Sequence, residues 1–145
     1  MTTTEIQARI SLKELIDKVS ILGDQKDFQA QVALFSEDAV SETIAEGKTI
    51  LKLEGRKEMA EAFNEFLKNF ETVYHFNGQQ QLSIDNDKAT GTVYCLITLI
   101  GTENGKKMKT AVGAIYEDDY IREDGRWLID RRIGHFKWQE KTEFH

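Results

Sequence analysis

The chain has 145 residues, 40% hydrophobic and 30% charged, with 25 acidic and 19 basic side chains and a net charge of -6. That length suits one domain with its own core, and the acidic balance lacks the basic footprint of a nucleic-acid binder. A lone cysteine, Cys95, excludes an intrachain disulfide, and three histidines without CxxC or HExxH spacing speak against a zinc site. Proline is absent, where average usage of about 5% would place roughly seven.

Residues 1–5, Met-Thr-Thr-Thr-Glu, carry neither a basic nor an apolar stretch of the kind that opens a secretory signal. The longest mostly apolar run, residues 93–100, is far too short to cross a bilayer as a helix. The expectation is a cytoplasmic protein whose residues 1–145 form one domain, with no nucleic-acid or membrane partner.

The first half reads helical. Leu12, Leu15, Ile16, Val19 and Leu22 form one apolar stripe at helical spacing. Thr4-x-x-Gln7 and Ser11-x-x-Glu14 are competing capping boxes for its start, and Gly23 is a natural stop. Asp24 or Asp27 then caps a short second helix carrying Phe28, Val32 and Phe35. Residues 39–45 and 49–53 form a hairpin around Glu46-Gly47. A third helix follows Gly55, with Met59, Phe63, Phe66, Leu67 and Phe70 on one face.

The second half reads as strands: residues 73–84, 90–102, 107–122 and 127–138, rich in Val, Ile, Thr and Tyr. The turns between them are Asp85-Asn86-Asp87, Asn104-Gly105 and Glu123-Asp124-Gly125. Short turns predict an antiparallel meander, and helices before strands predict an α+β fold in which a curved antiparallel sheet wraps around N-terminal helices. Strict alternation along the last strand puts Trp127, Ile129, Arg131, Ile133, His135 and Lys137 on one face. Leu128, Asp130, Arg132, Gly134, Phe136 and Trp138 fall on the other. Neither face is purely polar, which predicts an interior on one side and a second copy of the chain on the other.

Four segments together resemble the SnoaL-like branch of the nuclear transport factor two-like superfamily. They are Leu22-Gly23-Asp24-Gln25-Lys26-Asp27-Phe28, Leu34-Phe35-Ser36-Glu37-Asp38-Ala39-Val40, Tyr74-His75-Phe76, and residues 120–127, Tyr-Ile-Arg-Glu-Asp-Gly-Arg-Trp. The resemblance spans nearly the whole chain and implies a cone-shaped α+β fold. Two groups within that branch are nearest in pattern. Similarity to scytalone dehydratases implies that Asp24 and His75 line a pocket. Similarity to bile acid 7-alpha-dehydratases implies a basic residue beyond the last tryptophan, matched by Lys137 when Gly134 is the anchor. The chain departs from both. Residues 97–100, Ile-Thr-Leu-Ile, hold no second histidine, Tyr116 replaces a strand asparagine, and Val19 replaces a tyrosine.

The resemblance therefore implies Asp24, His75 and Lys137 as catalytic residues, and Tyr116, Phe63 and Val19 as substrate-binding ones. A carboxylate that accepts the proton of one imidazole nitrogen fixes the tautomer and leaves the other nitrogen basic. Such a pair removes a proton beside a carbonyl or assists a leaving hydroxyl, while Lys137 or Tyr116 hydrogen-bonds the developing oxyanion. That chemistry needs no metal and no cofactor. The implied function is a cofactor-free lyase (dehydratase) or isomerase acting on a small, largely hydrophobic oxygenated molecule. The alternatives are a non-catalytic binder of such a molecule and a protein-interaction module using the sheet face. A homo-oligomer, dimer or trimer, is expected. Glu117-Asp118-Asp119 reads as solvated charge alternating across a strand rather than a metal site, and Cys95 as inert core.

Overall fold

The structure is a computed structural model describing residues 1–145. Its elements are α1 (Thr3–Asp24), α2 (Phe28–Val32), β1 (Phe35–Ala45), β2 (Lys48–Glu54), α3 (Arg56–Leu67), β3 (Thr72–Asp85), β4 (Lys88–Glu103), β5 (Lys106–Glu123) and β6 (Arg126–Glu143). No helix is long and apolar enough to cross a membrane.

Neither expected capping box starts α1. Thr2 is the N-cap, its hydroxyl accepting from the Glu5 N–H at 3.1 Å. The buried stripe of Ala8, Leu12, Leu15, Ile16 and Val19 is continuous, so the helix runs through Ser11 without a break. It also runs past Gly23 to Asp24, and the chain reverses at Lys26, whose φ is 59°. Asp27 caps α2 by accepting from the Ala30 N–H at 3.3 Å. Phe35 opens β1 instead of closing α2.

The six strands form one curved, unclosed sheet in the order β2-β1-β6-β5-β4-β3. From β3 to β6 it is the expected antiparallel meander, but β1 lies parallel to β6, so the sheet is mixed. The β1–β2 hairpin is too small to stand alone and completes its ladder on the free edge of β6. The turns at Glu46-Gly47, Asn104-Gly105 and Asp124-Gly125 hold both central residues at positive φ, the geometry that matches strand twist in two-residue hairpins. The helices cover one face, burying Leu12, Ile16, Val19, Phe28 and Met59 against Val93, Tyr120 and Ile129. Helices followed by this sheet make the α+β architecture expected from the sequence.

Strict alternation fails twice along β6. Tyr120 pairs with Ile129 and Asp119 with Arg131, which leaves Asp130 as an extra residue. Ala114 pairs with Phe136 and Gly113 with Trp138, which leaves Lys137 as another. Each bulge exchanges the faces. Trp127 and Ile129 therefore share the inner face with Arg132, Gly134 and Phe136, and then with Gln139. Arg131 and Ile133 fall on the opposite face, where they border a shallow polar groove. The first bulge is pinned by Ser36 of β1, whose hydroxyl donates to Asp130 at 2.6 Å.

Cys95 is buried on the inner face of β4, among Val73, Ile97, Val112 and Ala114. Burial pushes its thiol up to about 11. At pH 8 almost none of it is thiolate, whereas in the unfolded chain a thiol titrates near ~8.5. Ellman's reagent should thus react with the native protein roughly 100-fold more slowly than with the urea-unfolded chain at that pH. A native rate close to the unfolded one would contradict this burial.

Candidate active site

Between the concave sheet face and α1, α2 and α3 lies a cavity of about 410 Å3 lined by 23 residues, 13 of them hydrophobic. Its apolar wall includes Val19, Phe63, Leu67, Ile97, Leu99, Val112 and Phe136. Its mouth lies between α3 and the edge strand β2, where Phe66, Ile50 and Leu51 line the cavity yet stay 66%, 60% and 42% exposed.

The polar groups converge from five elements. Asp24 is the last residue of α1 and meets His75 on β3. One carboxylate oxygen of Asp24 accepts from the His75 backbone N–H at 3.0 Å and lies 2.7 Å from Nδ1. The other oxygen is 3.2 Å from the same backbone N–H. A carboxylate can only accept here, so Nδ1 carries the proton and Nε2 is the basic nitrogen. Nε2 has no hydrogen-bond partner in the protein, and His75 lines the cavity. Two residues along the strand, Asn77 holds α1 in place through the Ser20 hydroxyl at 3.3 Å and Asp17 at 3.3 Å. On α2, Gln31 lines the cavity and donates to the Val19 carbonyl at 2.9 Å.

The remaining polar wall comes from β5 and β6. Arg132 is buried, and its Nε and one Nη donate to the two oxygens of Asp118 at 2.8 and 2.9 Å. Asp118 also accepts from the Tyr120 hydroxyl at 2.6 Å. A guanidinium has five N–H donors, and those not used on Asp118 have no acceptor in the protein, although Arg132 lines the cavity. Burial works against its charge, but the attraction and hydrogen bonds of Asp118 outweigh it and raise its pKa. The guanidinium stacks 4.1 Å from the ring centroid of Tyr116, a cation–π contact. Tyr116 can lie that close to β6 because its cross-strand partner is Gly134, where a Cβ would come within 3.0 Å of the ring. Burial raises the Tyr116 pKa, so its hydroxyl stays protonated.

His75, Tyr116, Phe63 and Val19 thus line this cavity, and Asp24 stands behind His75, bonded to its ring and backbone. Lys137 does neither: it is the bulged residue, exposed, and outside the cavity wall. The basic residue beyond Trp127 that reaches the interior is Arg132. Asp118 is likewise not solvated charge. Glu117 and Asp119 are exposed, but Asp118 between them points inward to Arg132. The sequence signal for this pair was an acid and an arginine on adjacent strands, readable only with the bulge at Asp130 in place. No group of histidine, cysteine and carboxylate side chains is arranged to hold a metal ion.

The tautomer is directly testable. Nitrogen-15 NMR at a pH where His75 is neutral should show a protonated Nδ1 and a bare Nε2, and Asp24→Asn should mix the two tautomers. An Nε2–H ring in the unmodified protein would break the geometry argued above.

The profile of the SnoaL-like domain matches residues 4–133. The uncharacterized protein Rv2910c of Mycobacterium tuberculosis is 25% identical over 134 residues, covering 92% of this chain and 88% of that protein. Among solved structures, a scytalone dehydratase-like protein from Novosphingobium aromaticivorans superposes with a TM-score of 0.84 at 19% identity, over 100% of this chain and 93% of that one. The hexachlorocyclohexane dehydrochlorinase LinA-type3 of Novosphingobium barchaimii does so with a TM-score of 0.78 at 19% identity, over 95% and 92%. At such identities the superpositions establish the cone fold of the nuclear transport factor two-like superfamily. With the domain profile covering nearly all of the cavity's walls, the chain belongs to the SnoaL-like family.

Proposed function

We propose that the protein is a cofactor-free lyase, a dehydratase or related eliminating enzyme, or else an isomerase, acting on a small, largely hydrophobic oxygenated molecule. The observation that carries this reading is the Asp24–His75 pair, with Nδ1 held at 2.7 Å and Nε2 left free at the cavity wall. His75 takes a proton from a carbon beside an electron-withdrawing group. Asp24 stabilises the imidazolium that results. The unpaired N–H groups of Arg132 and the neutral Tyr116 hydroxyl hydrogen-bond the oxygen on which charge develops. In a dehydration the electron pair of the broken C–H bond forms the double bond, and the hydroxyl on the next carbon leaves as water with the proton returned by His75. Lys137 has no part in this scheme.

The relatives add weight of a general kind, since the superposed structures include a scytalone dehydratase-like protein and a dehydrochlorinase. A non-catalytic binding protein is the second reading, favoured by Ile97 and Leu99, which line the cavity with apolar groups and place no second histidine opposite His75. Assays of hydroxy-ketones for elimination separate the two. If the lyase reading holds, His75→Ala lowers kcat/KM by about 100- to 10,000-fold. Arg132→Gln lowers it by a comparable factor, and Lys137→Ala leaves it within about twofold. Turnover that survives His75→Ala would remove His75 as the base, and no elimination by the unmodified protein would leave only the binding reading.

A homo-oligomer belongs to the same proposal. Tyr74, Phe76, Tyr94, Leu96 and Trp138 form an apolar group on the outer sheet face, each 46–60% exposed. Leu96 pairs with Phe76 on one side and Gly113 on the other, and Gly113 pairs with Trp138. A second copy of this face would cover it. Sedimentation should give a dimer, or a trimer, and Leu96→Glu should shift it to monomer. A monomeric unmodified protein at tens of micromolar would retire the oligomer and return the face to the interaction-module reading.

A further inference from the structure

The charges around the cavity are unevenly spent. Arg132 is buried, and Asp118 binds it through both carboxylate oxygens. Asp24 is bonded to His75 alone and has no guanidinium or ammonium beside it. Arg132 is thus offset by Asp118, while the carboxylate of Asp24, directly behind the His75 ring at the cavity wall, has no guanidinium to offset it. A buried arginine on its own would attract carboxylates, sulfonates and phosphates. Once Asp118 has taken its charge, what remains is a set of unpaired N–H donors, which suit a neutral acceptor such as a carbonyl, hydroxyl or ether oxygen.

We infer that Asp118 is a specificity-determining residue: by neutralising Arg132 it restricts the cavity to uncharged ligands with a hydrogen-bond acceptor at one end, and excludes anions of the same shape. The inference deepens the proposed function and rests on its reading of this cavity as the ligand site. An anion entering the cavity loses its hydration and meets the uncompensated charge of Asp24. A neutral oxygen loses far less and gains the free donors of Arg132. Tyr120 supports the arrangement, because its hydroxyl fills another acceptor position of Asp118 and holds the carboxylate toward Arg132. Asp118 touches no ligand in this scheme. It acts through Arg132.

Two dyes with one ring skeleton test it. N-phenyl-1-naphthylamine is neutral, and 8-anilino-1-naphthalenesulfonate adds one sulfonate. In the unmodified protein the neutral dye should bind at least about tenfold more tightly. Asp118→Asn should shrink that preference by about tenfold, chiefly by improving sulfonate binding. Val112→Trp, which fills the cavity, should abolish binding of both dyes in either background, which separates the cavity from the apolar outer face. Equal affinity of the two dyes for the unmodified protein overturns the inference, and this measurement stands even if Asp118→Asn does not fold. A folded Asp118→Asn variant with an unchanged preference overturns it as well. Either result leaves the lyase reading intact. Conversely, neutral-dye binding without any turnover of hydroxy-ketones defeats the lyase reading alone, and failure of the neutral dye to bind overturns the inference alone.

Discussion

A guanidinium cannot sit in an interior without a counter-charge, and much of the cavity is organised around meeting that condition for Arg132. Asp118 lies directly opposite on the neighbouring strand and takes two of its N–H groups. Tyr120 completes the carboxylate, and Tyr116 covers the guanidinium face. Three alternate residues of one strand, Tyr116, Asp118 and Tyr120, are therefore committed to a single side chain of the next. Removing one partner of such a pair would strand the other charge in the interior, at a cost of about 3–5 kcal/mol. The pair fixes the register of β5 against β6 as firmly as any apolar contact does.

That register depends on one extra residue. Without the bulge at Asp130, the side chains of Trp127 and Ile129 could not share a face with Arg132. The second bulge, at Lys137, allows Phe136 to close the cavity from within while Trp138 lies over Gly113 on the outside. The first bulge selects the cavity's positive group, and the second sends Trp138 to the outer face and brings Gln139 to the cavity wall. Both interruptions fall on the strand that also receives β1 in parallel. β6 thus carries a buried ion pair, two bulges and a mixed-sheet junction.

This explains which parts of the molecule could be read from residues alone. The stripe of α1 and the turns at Asn104-Gly105 and Asp124-Gly125 were legible because periodicity and turn chemistry are local. The third helix was legible too, but its stripe is shorter than expected, since α3 ends at Leu67, before Phe70, and Phe66 is 66% exposed. The meeting of Asp24 with His75 is not local. The two are 51 positions apart, and only the family pattern linked them. Arg132 was invisible for a different reason. Alternation counted from Trp127 assigns it to the face away from the core, and nothing in residues 126–138 announces a bulge. Asp118 fell with it, since an acid flanked by two acids reads as surface until a buried partner is found. Parallel addition of β1 was also hidden, because hairpin signals specify pairing within β1–β2 and say nothing about the strand beyond.

The same division separates the fixed wall of the cavity from its mouth. His75, Tyr116 and Arg132 stand on central or long strands, each held by ladder hydrogen bonds on its neighbours. The mouth is built from α3 and from β2, the edge strand, with Phe66, Ile50 and Leu51 partly exposed. Substitutions at the mouth disturb little else, since each of these side chains already spends much of its surface in water. Substitutions at Arg132 or Asp118 disturb an ion pair, two strands and a bulge at once. The polar wall of the cavity is therefore structurally constrained, whereas the side chains at its mouth are free to vary. A fold arranged in this way can be retained at identities near those of the superposed structures, 19%, while the side chains at its mouth change.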